Sequence, residues 1–155
     1  MSLRVAMPAD SSFCYELNRA TLGPYVRALF GWDEQVQQRL HRDWFARTRV
    51  EIVVANGLDV GVLVVERRAG EIELGRMELA PKHQRRGIGR HLVDSLLDEA
   101  RASNSAVVLE VLAGNERARA WYERLGFREL EPDADRPWKI LMRFDPPPVR
   151  TAAAT

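Results

Sequence analysis

The chain is predicted to be an α/β domain built on a mixed sheet, with amino-terminal helices first, an antiparallel meander next and a parallel β-α-β crossover last. Three observations lead there. Apolar residues in the first third recur at helical spacing, and from Val50 the period changes to that of strands joined by hairpin signals. After Gly89 an amphipathic segment leads into an almost uninterrupted apolar run from Ala106 to Leu112, as expected of a strand buried on both faces. The 155 residues make one domain, and 46% hydrophobic with 29% charged residues excludes disorder or a fibrous repeat for most of the length.

Leu3 and Val5 alternate with polar neighbours in a short first strand, which Pro8-Ala9-Asp10-Ser11 stops before capping a helix. That helix is predicted over 11–22, interrupted by Gly23-Pro24, with a second short helical piece up to Phe30 that ends at Gly31. Asp33 caps a further helix whose Val36, Leu40, Trp44 and Phe45 make one apolar stripe. Strands over 51–55 and 60–65 flank the hairpin signal Asn56-Gly57. A turn at Ala69-Gly70 leads into a third strand over 71–79, which Pro81 ends because proline cannot donate to a ladder. Ile88, Leu92, Val93, Leu96, Leu97 and Ala100 then return at helical spacing, with a stop near Ser103-Asn104. Strand, helix, strand in this order implies a right-handed parallel crossover beside the meander. A helix over about 115–125 is closed by Gly126, and a last strand covers 138–144. The domain is expected over 1–145. Three prolines followed by Thr-Ala-Ala-Ala-Thr predict disorder over 146–155.

Twenty-three Lys and Arg against 22 Asp and Glu leave a net charge of +1, so the chain as a whole attracts neither nucleic acid nor an anionic membrane. Its uncharged apolar stretches are too short for a membrane span, and its amino terminus lacks an apolar signal core. The single cysteine, Cys14, can form neither an internal disulfide nor a zinc site, and no histidine has a metal-spaced partner. These features point to a cytoplasmic protein without a metal.

Chemistry concentrates in Leu79-Ala80-Pro81-Lys82-His83-Gln84-Arg85-Arg86-Gly87-Ile88-Gly89-Arg90, a strand end, a glycine-bearing loop and a helix start. Helix amino termini present unpaired N–H groups and a partial positive charge, which suit a phosphate or pyrophosphate. Gly87 and Gly89 let the backbone approach such a ligand, and Arg85, Arg86 and Arg90 add charge around it. A nucleoside-triphosphate loop would need Gly-Lys-Ser/Thr where Gly89-Arg90-His91 stands. A dinucleotide fingerprint would need a small residue at Leu92 and a strand that opens the fold. The pattern matched in full is Gln/Arg-x-x-Gly-x-Gly/Ala, as Gln84-Arg85-Arg86-Gly87-Ile88-Gly89.

On these residues the chain resembles the Gcn5-related N-acetyltransferases (GNAT), which use acetyl-CoA. The likeness continues in Asn115-Glu116-Arg117-Ala118-Arg119-Ala120-Trp121-Tyr122-Glu123-Arg124-Leu125-Gly126-Phe127, similar to that family's second signature. The resemblance implies a GNAT-like mixed sheet and direct acetyl transfer to the primary amine of a small-molecule or peptide acceptor. It implies that backbone amides from Arg85 to Arg90, Ile88 included, hold the pyrophosphate, and that the main chain at Leu79 pairs with the pantetheine arm. Leu79 N–H would point at the acetyl carbonyl, Asn115 would bond the cofactor arm, and Tyr122 would stand by the sulfur as proton donor. Independently, Asn115, Ala118 and Tyr122 fall at i, i+3 and i+7 and share one helix face. The aromatics Tyr25, Trp32 and Trp44 lie in helices that such proteins use as an acceptor wall.

The base is left open between Glu73 and Glu78. They differ by an odd number on one strand and so point to opposite faces unless a bulge intervenes. The rival reading of the whole chain is a non-catalytic acyl-CoA-binding sensor or structural module. The sequence leaves monomer and homodimer equally open, and it does not name the amine.

Overall fold

A computed structural model describes residues 1–148. Its elements are β1 (Ser2–Val5), α1 (Ser11–Phe30), α2 (Glu34–Arg47), β2 (Glu51–Ala55), β3 (Leu58–Arg68), β4 (Glu71–Leu79), α3 (Ile88–Ser103), β5 (Ala106–Leu112), α4 (Glu116–Arg124), β6 (Arg128–Glu129) and β7 (Lys139–Phe144). The strands form a 7-stranded sheet in the order β1-β2-β3-β4-β5-β7-β6. Neighbours are antiparallel except β4 and β5, whose parallel pairing is bridged by α3 as the crossover requires.

Strand alternation divides the core between two faces. Val53, Leu63, Ile72, Leu74 and Val107 pack with Leu92, Val93, Leu96 and Leu97 of α3. Ile52, Val62 and Val50 pack on the other face with Cys14 and Leu17 of α1, supported by Trp44 and Phe45 of α2. Asp33 caps α2 by accepting from Val36 N, and Gly87, at φ 83, opens α3 in a left-handed conformation that favours glycine.

The structure differs from the sequence reading in four places. Gly23-Pro24 does not interrupt α1, which runs through it as one helix of 20 residues. Proline removes one ladder bond, but the helix is docked on both sides of it: before it Cys14 and Leu17 lie in the core and Gly23 is buried, and after it Phe30 packs edge-on against Trp138. Leu40 is 56% exposed, outside the apolar stripe assigned to it. The inward face of α2 centres instead on His41, which packs on Tyr15, Trp44 and Phe45 and bonds Ser11. The first strand forms, yet Leu3 and Val5 stay exposed on β1, which is an edge of the sheet. Finally, β6 is a two-residue strand too short to carry a period. Of the tail, 146–148 form no helix or strand, and the expectation for 149–155 lies outside the described residues.

Candidate active site

The site begins where the sheet comes apart. β4 pairs with β5 from Glu71↔Ala106 to Leu74↔Leu109 and no further. At that point the β3–β4 register passes from Val65↔Leu74 to Val64↔Arg76, leaving Gly75 as an extra residue in β4. This is a β-bulge, which bends a strand and strengthens its twist. It parts β4 from β5 and changes parity, so that Glu73, Arg76 and Glu78 share the α1/α2 face, while Leu74 and Met77 pack toward α3. The condition under which the two glutamates point the same way is therefore met.

Beyond the bulge the free edge of β4 is polar. Ala80 N donates to Val60 O, so the alternation of an antiparallel pair turns the N–H and C=O of Leu79 and Met77 away from β3 and into the gap. Gln84 Nε2 donates to Leu79 O at 3.0 Å, tying the loop to the strand end. Gly61 makes the register possible, since a Cβ there would lie 2.5 Å from Glu78 O. Past the strand, Arg85 (φ 61) and Gly87 (φ 83) are both left-handed. The main-chain N–H groups of 85–90 have no hydrogen-bond partner among the described residues. Such a run of unpaired donors at a helix start suits an anion, which makes the loop a candidate anion cradle.

The gap opens as a cleft of about 590 Å³ lined by Leu79, Gln84, Arg85, Gly87, Gly89 and Arg90 on one wall and Asn115, Ala118, Trp121 and Tyr122 of α4 on the other. It continues between β4 and β5 into a smaller chamber of about 200 Å³ that shares Glu78, Asn115, Ala118 and Tyr122 with it. Asn115 caps α4 by accepting from Ala118 N. The Tyr122 ring packs edge-on between Trp121 and Phe127. Burial pushes its phenol up to about 12.

Glu78 is the buried acid of the site, 4% exposed. Its Oε2 accepts from Asn18 Nδ2 at 2.9 Å and from Thr21 Oγ1 at 2.6 Å, which fixes it to α1. Its Oε1 has no hydrogen-bond partner and faces Arg76 Nε at 3.6 Å. Glu73 lies at the outer end of the chamber, half-exposed and paired with Arg68 at 2.8 Å.

The arrangement can hold an anion at the α3 start, an extended arm along β4 and a reacting group between Leu79 N–H and Tyr122. A family model of acetyltransferases, "Acetyltransferase (GNAT) family", matches residues 14–127. The chain belongs to the GNAT acetyltransferase family. It is 37% identical over 75 residues to the [ribosomal protein bS18]-alanine N-acetyltransferase of Escherichia coli K12, an alignment covering 48% of this chain and 51% of the relative. The chain thus spans about half the length of the curated relatives it matches.

Among solved structures, the PaiA N-acetyltransferase of Thermoplasma acidophilum in complex with coenzyme A superposes at TM-score 0.69 with 16% identity, covering 94% of this chain and 99% of that one. The Escherichia coli ribosomal-protein-S18-alanine N-acetyltransferase superposes at TM-score 0.65 with 23% identity, covering 97% of each. Identities this low establish the fold.

In this GNAT chain the acetyl-CoA donor of the family suits the residues present, with unpaired amides for phosphates, the unpaired N–H groups of Met77 and Leu79 on the β4 edge for an extended arm, and Arg85 and Arg90 beside the loop. The Arg90 guanidinium is shared with Asp94 at 2.9 Å, and Arg86 is exposed off the cleft wall. The Ile88 side chain joins the core, leaving only its main chain for a ligand. Of the aromatics, Tyr25 lines the cleft, Trp32 donates to Glu34, and Trp44 stacks under Arg76.

Two residues were missed. Glu110 of β5 lines the chamber opposite β4, ion-paired to Arg136 at 2.9 Å and Lys139 at 3.3 Å. Arg76 lies with its guanidinium 3.7 Å over the Trp44 ring. Glu110 interrupts an otherwise apolar strand with one charge, and Arg76 is the one cation among the three glutamates of β4, which were the available signals.

Proposed function

We propose that this chain is an acetyl-CoA-dependent N-acetyltransferase acting on a primary amine, with the donor in the larger cleft and the amine entering the smaller chamber. The observation that supports it best is the parting of β4 and β5. It exposes the Leu79 main chain between an anion cradle and Tyr122, and puts a buried carboxylate next to the same point. Acetyl-CoA would supply an activated acyl group, the amine nitrogen forming a C–N bond to its carbonyl carbon as the C–S bond breaks and sulfur leaves as thiolate.

Leu79 N–H, unpaired and rigid at the strand end, stabilises the charge that grows on the carbonyl oxygen. An alkyl amine of ordinary pKa is neutral in only about one molecule in 2,500 at pH 7, a penalty of about 5 kcal/mol, so a proton acceptor is needed. Glu78 suits that role better than Glu73 or Glu110. Its Oε2 is locked by Asn18 and Thr21 and its Oε1, though it faces Arg76 at 3.6 Å, accepts no hydrogen bond, whereas the other two carboxylates are paired closely, with Arg68 at 2.8 Å, or with Arg136 at 2.9 Å and Lys139 at 3.3 Å.

Tyr122, pushed up to about 12, keeps its proton at neutral pH and donates it in a hydrogen bond to the leaving sulfur. Complete transfer to a thiolate of ordinary pKa near 8.5 would be uphill by about 5 kcal/mol, so the hydrogen bond itself is its contribution. No helix among the described residues is long and apolar enough to cross a membrane, and the cytoplasmic reading rests on the lone buried Cys14. The test is transfer from acetyl-CoA across a panel of amines and amino-terminal peptides, read as acetylated product mass. Stoichiometric binding of acetyl-CoA with no transfer to any amine would leave the acyl-CoA sensor as the function.

A further inference from the structure

Arg76 and Glu78 face each other across an unfinished contact. They stand at i and i+2 on one strand face, and their nearest atoms, Nε and Oε1, are 3.6 Å apart, beyond an ordinary hydrogen bond. Glu78 Oε1 is buried without a partner, and the Arg76 guanidinium makes no hydrogen bond among the described residues although it carries five donors. Buried polar atoms are normally bonded, so the Glu78 Oε1 orphan calls for an explanation, and the part-exposed Arg76 has donors to spare beside it. Stacking on Trp44 at 3.7 Å fixes the guanidinium plane while leaving its edge free to bond.

Both residues line the chamber of about 200 Å³, smaller than the sites that take drug-sized ligands. A chamber of that size suits a small acceptor better than an extended chain.

We propose that the acceptor is a small zwitterionic amino acid, its amine received by Glu78 and its own carboxylate by the Arg76 guanidinium. This rests on the N-acetyltransferase reading and names the substrate class. A zwitterion inserted here exchanges one long ion pair for two close ones without changing the net charge of the chamber. A guanidinium edge matches the planar geometry of a carboxylate. A peptide amino terminus offers a neutral amide at the same place, and a diamine offers a second cation facing Arg76. Arg76 is thus a specificity determinant that holds the acceptor and takes no part in proton transfer.

The test uses matched acceptors: the common amino acids, their carboxamides, amino-terminal peptides and simple diamines, each with acetyl-CoA, read as kcat/KM and product mass. The best acceptor is expected to be an amino acid, preferred at least tenfold over its own carboxamide. Arg76→Gln is expected to bring that ratio close to one through a raised KM for the acid, while Arg76→Lys keeps part of it. Equal or better use of the carboxamide, a peptide or a diamine would overturn the inference and leave the acetyltransferase reading standing, as would an unchanged ratio in Arg76→Gln. Absence of transfer to every acceptor while acetyl-CoA binds would overturn both. Should Arg76→Gln fail to fold, the wild-type ratio and that of Arg76→Lys decide.

Discussion

Replacing Tyr122 by Phe removes one oxygen from a ring held between Trp121 and Phe127. That oxygen has no hydrogen-bond partner among the described residues, so the fold loses no internal bond and the melting temperature should stay within a degree or two. If the hydroxyl donates to the leaving sulfur, the loss is that of a hydrogen bond to a charged group, about 1.5–3 kcal/mol. This corresponds to a fall in the chemical step of about 10- to 150-fold. Acetyl-CoA affinity, which the proposed site sets at the α3 loop and the β4 edge, should change by less than about threefold, so that kcat and kcat/KM fall together. Rapid-quench single-turnover kinetics with a saturating acceptor isolate this step from product release. A Tyr122→Phe rate within threefold of wild type would show that the sulfur leaves without help from the phenol.

Other consequences can be checked separately. Burial raises the Tyr122 phenol from an ordinary value near 10 to about 12, so its stabilising effect is complete below pH 10 and is lost as pH rises from 10 to 12. Tyr122→Phe should therefore lose less stability than wild type over that window in urea melts, by up to about 3 kcal/mol. Gly61→Ala forces a Cβ to 2.5 Å from Glu78 O and 2.6 Å from Leu79 Cδ2, and should cost about 1–3 kcal/mol and lower activity by shifting the Leu79 main chain. Cys14, fully buried with its thiol raised to about 11, should resist a thiol reagent at pH 8 and react only once denaturant unfolds the chain. Asp33→Ala deletes the cap on α2 and should lower stability by about 1 kcal/mol in chemical denaturation.

Element types were legible wherever a period ran long enough to declare a face, as in α3 and the meander. Local signals misled where packing overrode them. Pro24 carries a helix-breaking preference that docking of Cys14, Leu17 and Gly23 outweighs, and the α2 face is set by a histidine, which an apolar count passes over. The geometry of the loop before α3 could be read from glycine spacing because its unpaired donors belong to the main chain, and the shared face of Asn115, Ala118 and Tyr122 because helix geometry joins them. The acceptor end could not. Glu78 and Arg76 meet α1 and Trp44 only after the chain has folded back across some 30 to 60 residues. The device that aligns them is the bulge at Gly75, an isolated glycine inside a strand pattern and so a signal present in the sequence.

The claim that the parted strands form an acetyl-CoA site is tested most directly by calorimetric titration of acetyl-CoA into the wild type and Gly89→Glu. A Cβ at Gly89 meets only ordinary contacts, at 3.6 Å from Leu79 Cδ1 and 3.7 Å from Met77 Cε, and an acidic residue in the first turn of α3 favours the helix. The variant should fold as the wild type does while placing bulk and negative charge against the anion cradle. Saturable binding by the wild type and its loss in a folded Gly89→Glu protein are the predicted results. Equal affinity in the two proteins, or no binding by the wild type, would contradict the assignment.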